Sequence, residues 1–250
     1  MSDWEALKKF TQARIGIGRT GYAVPTRAHL QFQLDHARAR DAIFWKWERE
    51  AFQKKLKKEE IRHVFLTTGV TTRSDYLKRP DLGRVLSEAS HLELKKKYGK
   101  KTTAKNEFDV ALIVSNGLSS SAVNSHGGPF ILLLLKELRE FGLKISPVFL
   151  LENARVAVSD EIGALTHAKL SIIVLGERPG LSSFDSLAVY LTYAPKVGGS
   201  DARRNCVSNI RPPDGLSYEV GVKKTLFLVK ESLRRQLSGV ELKEEVNLLG

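Results

Sequence analysis

Leu170-Ser171-Ile172-Ile173-Val174-Leu175-Gly176-Glu177-Arg178-Pro179-Gly180-Leu181 is the stretch that decides how this 250-residue chain is read. Its first half is a short apolar run rich in β-branched residues, the pattern of a strand buried on both faces of a parallel sheet. The run stops at Gly176, and after only two charged residues Pro179-Gly180 forces a turn. Glu177 and Arg178 are thereby placed just past the carboxyl end of a buried strand, where open α/β sheets bind their ligands. Taken alone, the pair reads equally well as a solvated loop.

The flanking sequence repeats the pattern. Residues 109–114, 145–151 and 187–193 read as further strands, and residues 129–141, 160–166 and 217–237 as helices. Gly142 follows the first of these helices in the usual stop position. Glu219 opens the last helix and Lys and Arg close it, as the helix dipole favours. Residues 155–158 extend the second strand or form a short one beside it. Residues 115–121, Ser-Asn-Gly-Leu-Ser-Ser-Ser, form a small polar loop able to approach a ligand closely. The alternation predicts an α/β domain over residues 107–250, with a mainly parallel sheet and helices on both faces.

Residues 1–106 read as a mostly helical extension. Ser2-Asp3-Trp4-Glu5 has the capping-box pattern and opens a short helix to about Phe10. Gly16-Ile17-Gly18-Arg19-Thr20-Gly21 matches the dinucleotide fingerprint by its letters. No strand precedes it and no helix begins until about Thr26, so the match is rejected. Residues 26–58 contain no proline or glycine and predict one long helix, capped by Thr26 after Pro25. His29 and His36 share a face of that helix, but no third ligand of matching spacing accompanies them. Trp45 and Trp47 point to different helix faces, and one of them is expected to meet a partner surface. Residues 64–66 suggest a short strand, residues 67–73 a turn, and residues 76–84 an extended segment with a proline-led helix start. The basic stretch 95–105 reads as a linker carrying the domain boundary.

Charge divides at the same place. Residues 1–106 hold 24 Lys and Arg against 12 Asp and Glu, whereas residues 107–250 hold 16 of each, so the net +12 lies wholly in the first part. Such a region binds nucleic acid, an anionic cofactor or an acidic protein, or is simply a solvated helical face. Cys206 is the one cysteine, which excludes an internal disulfide and a multi-cysteine metal site and suits a reducing, cytosolic setting. The apolar stretch 129–135 is far too short to cross a bilayer.

The carboxy-terminal half shows little reaction chemistry. It has no phosphate-binding loop of the Gly-x-x-x-x-Gly-Lys type and no Gly-x-Ser-x-Gly elbow. His126 and His167 read as isolated, and no histidine or carboxylate can be assigned to Ser119, Ser120 or Ser121. Glycine-, serine- and asparagine-rich loops at strand ends favour binding over bond-making.

Several long motifs in one order carry a resemblance. They are Ala13-Arg14-Ile15-Gly16-Ile17-Gly18-Arg19, Pro25-Thr26-Arg27-Ala28-His29-Leu30 with Asp35-His36-Ala37-Arg38, Arg79-Pro80-Asp81-Leu82-Gly83, Ser115-Asn116-Gly117-Leu118-Ser119 and Asp160-Glu161-Ile162-Gly163. The most specific are Gly176-Glu177-Arg178-Pro179-Gly180-Leu181 and Arg204-Asn205-Cys206-Val207-Ser208-Asn209-Ile210. With these, the chain resembles the small subunit of ethanolamine ammonia-lyase from about residue 11 to its carboxyl terminus.

The resemblance implies a Rossmann-like domain that binds adenosylcobalamin, with contact positions at Val156, Glu177 and Cys206. The reading above places each of the three at a strand end or in a loop. Glu177 would accept hydrogen bonds from the corrin side chains or nucleotide tail, and Val156 would contribute shape. Without the resemblance, Cys206 reads as a small buried apolar residue. The Asp-x-His-x-x-Gly motif that supplies a histidine to cobalt in some cobalamin domains is absent, so cobalt is expected to keep the cofactor's own dimethylbenzimidazole. The resemblance further implies a large subunit, a TIM barrel, that binds ethanolamine and carries the catalytic residues for its radical conversion to acetaldehyde and ammonia. The basic region 1–106 is then expected to wrap that subunit, with neither nucleic acid nor membrane as partner. Location is cytosolic by exclusion, and such enzymes often work inside a bacterial microcompartment. The competing readings are a basic nucleic-acid-binding module, although no such fold signature is found, and a nucleotide-dependent oxidoreductase, although the glycines stand in the wrong context.

Overall fold

The computed structural model describes residues 3–99 and 108–242. Ser2 of the capping pattern and residues 100–105 of the expected linker lie outside them. The deciding stretch forms the middle of the sheet, the strand Ala168–Gly176, buried without interruption from Leu170 onward. Its alternate side chains enter two different cores. Leu170, Ile172 and Val174 pack with Phe52, Leu134 and Val229, while Ile173 and Leu175 pack with Leu94, Val158 and Ile162. Helices therefore cover both faces, as expected.

In chain order the elements are α1 (Asp3–Leu7), α2 (Thr26–Phe44), α3 (Arg49–Lys58), β1 (His63–Leu66), α4 (Arg73–Lys78), α5 (Glu88–Tyr98) and β2 (Phe108–Ser115). They continue through α6 (Ser120–Ala122), α7 (Gly128–Glu140), β3 (Val148–Leu151), α8 (Val158–Leu165), β4 (Ala168–Gly176), β5 (Leu187–Tyr193), β6 (Arg204–Ile210) and α9 (Tyr218–Arg235). The strand order is β1-β3-β2-β4-β5-β6. The first four strands run parallel, but β5 pairs antiparallel with β4, and β6 antiparallel with β5. The sheet is thus mixed, which corrects the mainly parallel expectation. Residues 177–186 are too few for a crossover helix, so the chain can only return beside β4 in the opposite sense. No helix among the described residues is long and apolar enough to cross a membrane.

The amino-terminal half departs most from its sequence pattern. The expected helix over 26–58 breaks after Phe44, and Trp47 turns inward to 3% exposure while Trp45 stays 56% exposed. The two tryptophans are therefore not on a helix at all. Asn124, remote in sequence, makes the break possible: Glu48 N–H donates to its Oδ1 at 2.9 Å, and its Nδ2 donates to the Lys46 carbonyl at 3.0 Å. Satisfied backbone groups and a buried indole outweigh helix propensity there. Residues 73–78 form α4, capped by Thr72, which takes in the end of the expected turn and the start of the segment expected to be extended from Tyr76. Residues 95–98 are the last turn of α5, not a linker. The turn after Asn153 leads straight into α8, so no strand forms over residues 155–158. Gly16, Gly18 and Gly21, all at positive φ, lie between α1 and α2 with no strand before them, consistent with rejecting the dinucleotide fingerprint. β1 comes from the basic half and pairs with β3.

β6 was invisible in the sequence because only Val207 and Ile210 of its seven residues are buried. A bidentate pair holds its start: Arg204 Nη1 and Nη2 donate to the Asp160 carboxylate at 2.7 and 2.8 Å, with each side chain 3% exposed. Removing Asp160 would leave the buried Arg204 with only the exposed Asp201 carboxylate, 3.0 Å from its Nε, as an ionic partner. Asp160→Ala is expected to destabilise the protein by about 3–5 kcal/mol, read as a lower urea midpoint at unchanged slope. An unchanged midpoint would show that β6 is held by its ladder alone.

Candidate functional site

The carboxyl ends of β2, β3 and β4 open onto a cavity of about 620 Å³. Its floor is backbone. Leu118 N–H donates to the Gly176 carbonyl at 3.0 Å, drawing the loop after β2 onto the end of β4. Gly117 sits at φ +53, and a Cβ on it would strike the Gly176 carbonyl. A Cβ on Gly176 would in turn strike the carbonyl oxygens of Ser119 and Asn116. Neither position admits a side chain, so the two strand ends can lie in direct contact.

The neighbouring loops are tied to that floor. Asn116 Oδ1 accepts from Asn153 N–H at 2.7 Å, and Ser115 Oγ accepts from Ala154 N–H at 3.1 Å. Arg73 adds four bonds: Nε donates to the Ile43 carbonyl, Nη1 to the Gly117 carbonyl and Asn153 Oδ1, and Nη2 to the Leu118 carbonyl, all at 2.7–2.9 Å. Tyr76, a buried residue of the cavity lining, has two guanidiniums on its ring, Arg73 at 4.7 Å and Arg155 at 4.1 Å from the ring centre.

Val156, half-buried in the turn between β3 and α8, and Glu177, the first residue beyond β4, both line the cavity. Glu177 N–H donates to the Ser186 carbonyl, closing the base of the 177–186 loop, and Glu177 Oε2 accepts from Asn209 N–H, each at 2.9 Å. Cys206 is placed differently from its expectation. It lies in the middle of edge strand β6, exposed, and lines a neighbouring hollow of about 470 Å³ that shares Asn209 with the main cavity. It faces Tyr190 across the β5–β6 ladder. Local desolvation, reinforced by the Glu177 carboxylate and opposed by the Tyr190 hydrogen bond, pushes the thiol up to about 11. Burial, followed by Cys206 and Glu177, likewise raises the Tyr190 phenol.

Arg155, Tyr76, Tyr190, Asn209 and Gln12 line the cavity without having been singled out in the sequence. Arg155 stands beside Val156 and was within reach of the motif reading. Tyr76 and Gln12 arrive from remote segments and carry no local signal. Nor is His126 isolated. Its Nδ1 lies 2.9 Å from the Tyr218 hydroxyl and its Nε2 3.5 Å from Asp185, which Arg211 also approaches at 3.3 Å. Burial works against the Asp185 charge, but His126 and Arg211 hold its carboxyl below the usual range. This string holds Asp185, next to the Ser186 end of the 177–186 loop. Ser119, considered as a nucleophile, instead donates to the Phe184 carbonyl at 2.8 Å, fastening the same loop. His29 contacts Gln33 at 3.0 Å and His36 stacks on Phe32, and no metal-holding cluster occurs among the described residues.

Comparison with known proteins gives one consistent result. The model of the family "Ethanolamine ammonia-lyase light chain (EutC)" matches residues 1–243. The ethanolamine ammonia-lyase small subunit of Azotobacter vinelandii is 45% identical over 245 residues, 98% of this chain and 89% of that protein. Those of Pseudomonas putida, at 45%, and Pseudomonas aeruginosa, at 46%, cover 98% of this chain and 89% and 88% of their own length.

The raised Cys206 thiol makes a direct prediction. Below pH 11 the neutral thiol predominates, so only roughly a thousandth is thiolate at pH 8. Alkylation by iodoacetamide, followed by mass spectrometry, is expected to be slow at pH 8 and to accelerate about tenfold per pH unit toward pH 11. A rate that levels off below pH 9 would contradict it.

Proposed function

This chain belongs to the ethanolamine ammonia-lyase light-chain family, and we propose that it is the small subunit that holds adenosylcobalamin against a large catalytic subunit. One observation carries the reading: Val156 and Glu177, from two different strand ends, line one open cavity at the carboxyl edge of the parallel strands. The residues present suit the cofactor. Leu118 and Gly176 line the cavity where the loop after β2 is bonded to the end of β4, giving a flat macrocycle a fixed backbone junction to rest on. Ser182, Ser183 and Ser186 offer hydroxyls to amide side chains, and Glu177 keeps Oε1 for a donor while Oε2 is held by Asn209. At about 620 Å³ the cavity holds only part of a corrinoid, so a second surface must close it.

When bound, the cofactor supplies the cobalt–carbon bond cleavage that starts the radical conversion of ethanolamine to acetaldehyde and ammonia. The chain's own residues position and shield. Tyr190 and Cys206, both shifted upward, stay neutral at physiological pH and add no charge to the rim. His126, beside Tyr218 and Asp185, does not line the cavity. In this reading residues 107–250 are the Rossmann-like cofactor platform and residues 1–106 the docking region. Exposed apolar side chains concentrate in that region, at Trp4, Leu7, Phe10, Leu30, Phe32, Leu34, Phe44 and Trp45. An apolar surface of this extent within a +12 segment suits a large partner with an acidic, partly apolar face. We take that partner to be the TIM-barrel large subunit, which would also bind ethanolamine.

Two experiments test the reading. The chain is purified with and without a co-expressed large subunit, and cobalamin is followed by the visible corrin spectrum. Retained cobalamin, with ammonia released from ethanolamine only by the mixture, is expected. Stable folding with no cobalamin under either condition would overturn the assignment. For docking, Phe44→Glu with Trp45→Glu changes two exposed side chains and is expected to weaken co-purification at least tenfold. Undiminished association would move the interface elsewhere.

A further inference from the structure

Resting on the cofactor reading above, the cavity carries a feature that reading does not use. Arg155 forms part of the wall. Its Nη2 donates to the Tyr76 carbonyl at 2.9 Å, while its buried Nε donates to nothing. Arg73, on the same tyrosine ring, has its donors engaged with the Ile43, Gly117 and Leu118 carbonyls and the Asn153 amide. Among the described residues, all of these partners of the two guanidiniums are neutral oxygens. Burial acts first against the charge of Arg73 and the neighbouring Arg155 adds to it, while Tyr76 and, less, Glu152 relieve it in part.

Two partly buried cations thus share one ring without a carboxylate bonded to either. A buried charge normally has a compensating partner. Arg155 is the one of the pair with donors to spare, and a guanidinium fork matches phosphate oxygens in a bidentate manner. Corrin side chains are neutral amides, so the anionic group of the cofactor is the phosphodiester of its nucleotide tail. We propose that Arg155 is the anion-binding residue of this cavity and grips that phosphodiester. Glu177 and the serines then address the amides, and the cavity sorts the ligand by charge.

The test compares adenosylcobalamin with adenosylcobinamide, which lacks the phosphodiester and nucleotide, on the complex of this chain with its large subunit. Binding is read as Kd from the corrin spectrum, independently of turnover. Arg155→Met is expected to weaken adenosylcobalamin about ten- to hundredfold, the effect of losing charge-assisted hydrogen bonds, and to change adenosylcobinamide less than about twofold. The second ligand thereby controls for folding. Inorganic phosphate is expected to compete with adenosylcobalamin in the unaltered protein and to lose that competition in Arg155→Met.

Equal losses for both corrinoids, or no loss for either, would overturn the inference while leaving the cofactor reading intact. If Arg155→Met fails to assemble, Arg155→Lys keeps the charge and stem but not the fork. It is expected to cost adenosylcobalamin alone about three- to tenfold, and equal effects on both ligands would again refute the proposal. Failure of the unaltered complex to bind either corrinoid would overturn the cofactor reading and this inference with it.

Discussion

The contact between the end of β4 and the loop after β2 constrains everything around it. Two buried strands end side by side, and the loop between β2 and α6 must cross the end of β4 to reach its helix. It does so with carbonyl and amide groups in direct contact, because Gly117 and Gly176 have no side chain to intervene. Replacing either glycine would lift the loop and leave buried peptide groups without partners, which is why the contact is either made fully or lost. The cavity is the space left in front of this junction.

Both ends of the 177–186 loop follow from the same junction. Its base is set by Glu177 N–H on the Ser186 carbonyl, and the two residues before Ser186 are held by Ser119 and by the His126–Asp185–Arg211 string. The loop is therefore held at residues 177 and 184–186, while Gly180 and Ser183 bond to each other across its tip. Fixing those ends places the start and finish of the cavity wall before any ligand arrives, so less motion is lost on binding.

Much of the carboxy-terminal half was legible in its sequence for a simple reason. Buried strands such as Leu170 to Leu175 must be apolar throughout, and punctuation by Gly176 and Pro179 fixes where they stop. Glu177 could be placed because its position depends only on that local pattern. The rest depended on contacts between distant residues. The helix break after Phe44 is bonded by Asn124, seventy-six residues away from Glu48. The direction of β5 follows from the length of a loop, which was readable but was not used. β6 survives as a strand despite the polar run Arg204-Asn205-Cys206 because Asp160 neutralises Arg204 and the edge faces outward. Cys206, expected at a strand end or in a loop, therefore lies within an edge strand instead.

The division into a basic half and a neutral half is less sharp in space than along the chain. Arg73 belongs to the first half, yet its guanidinium joins the Ile43 carbonyl near the end of α2 to the Gly117 and Leu118 carbonyls of the cavity floor. Ile43 directly precedes the exposed Phe44 and Trp45. A partner that shifted the end of α2 would have to break a hydrogen bond to a charged donor, typically about 1.5–3 kcal/mol, or carry the floor with it. The shared side chain ties the end of α2 to the cavity floor, although Ile43 and Leu118 are remote from each other in sequence.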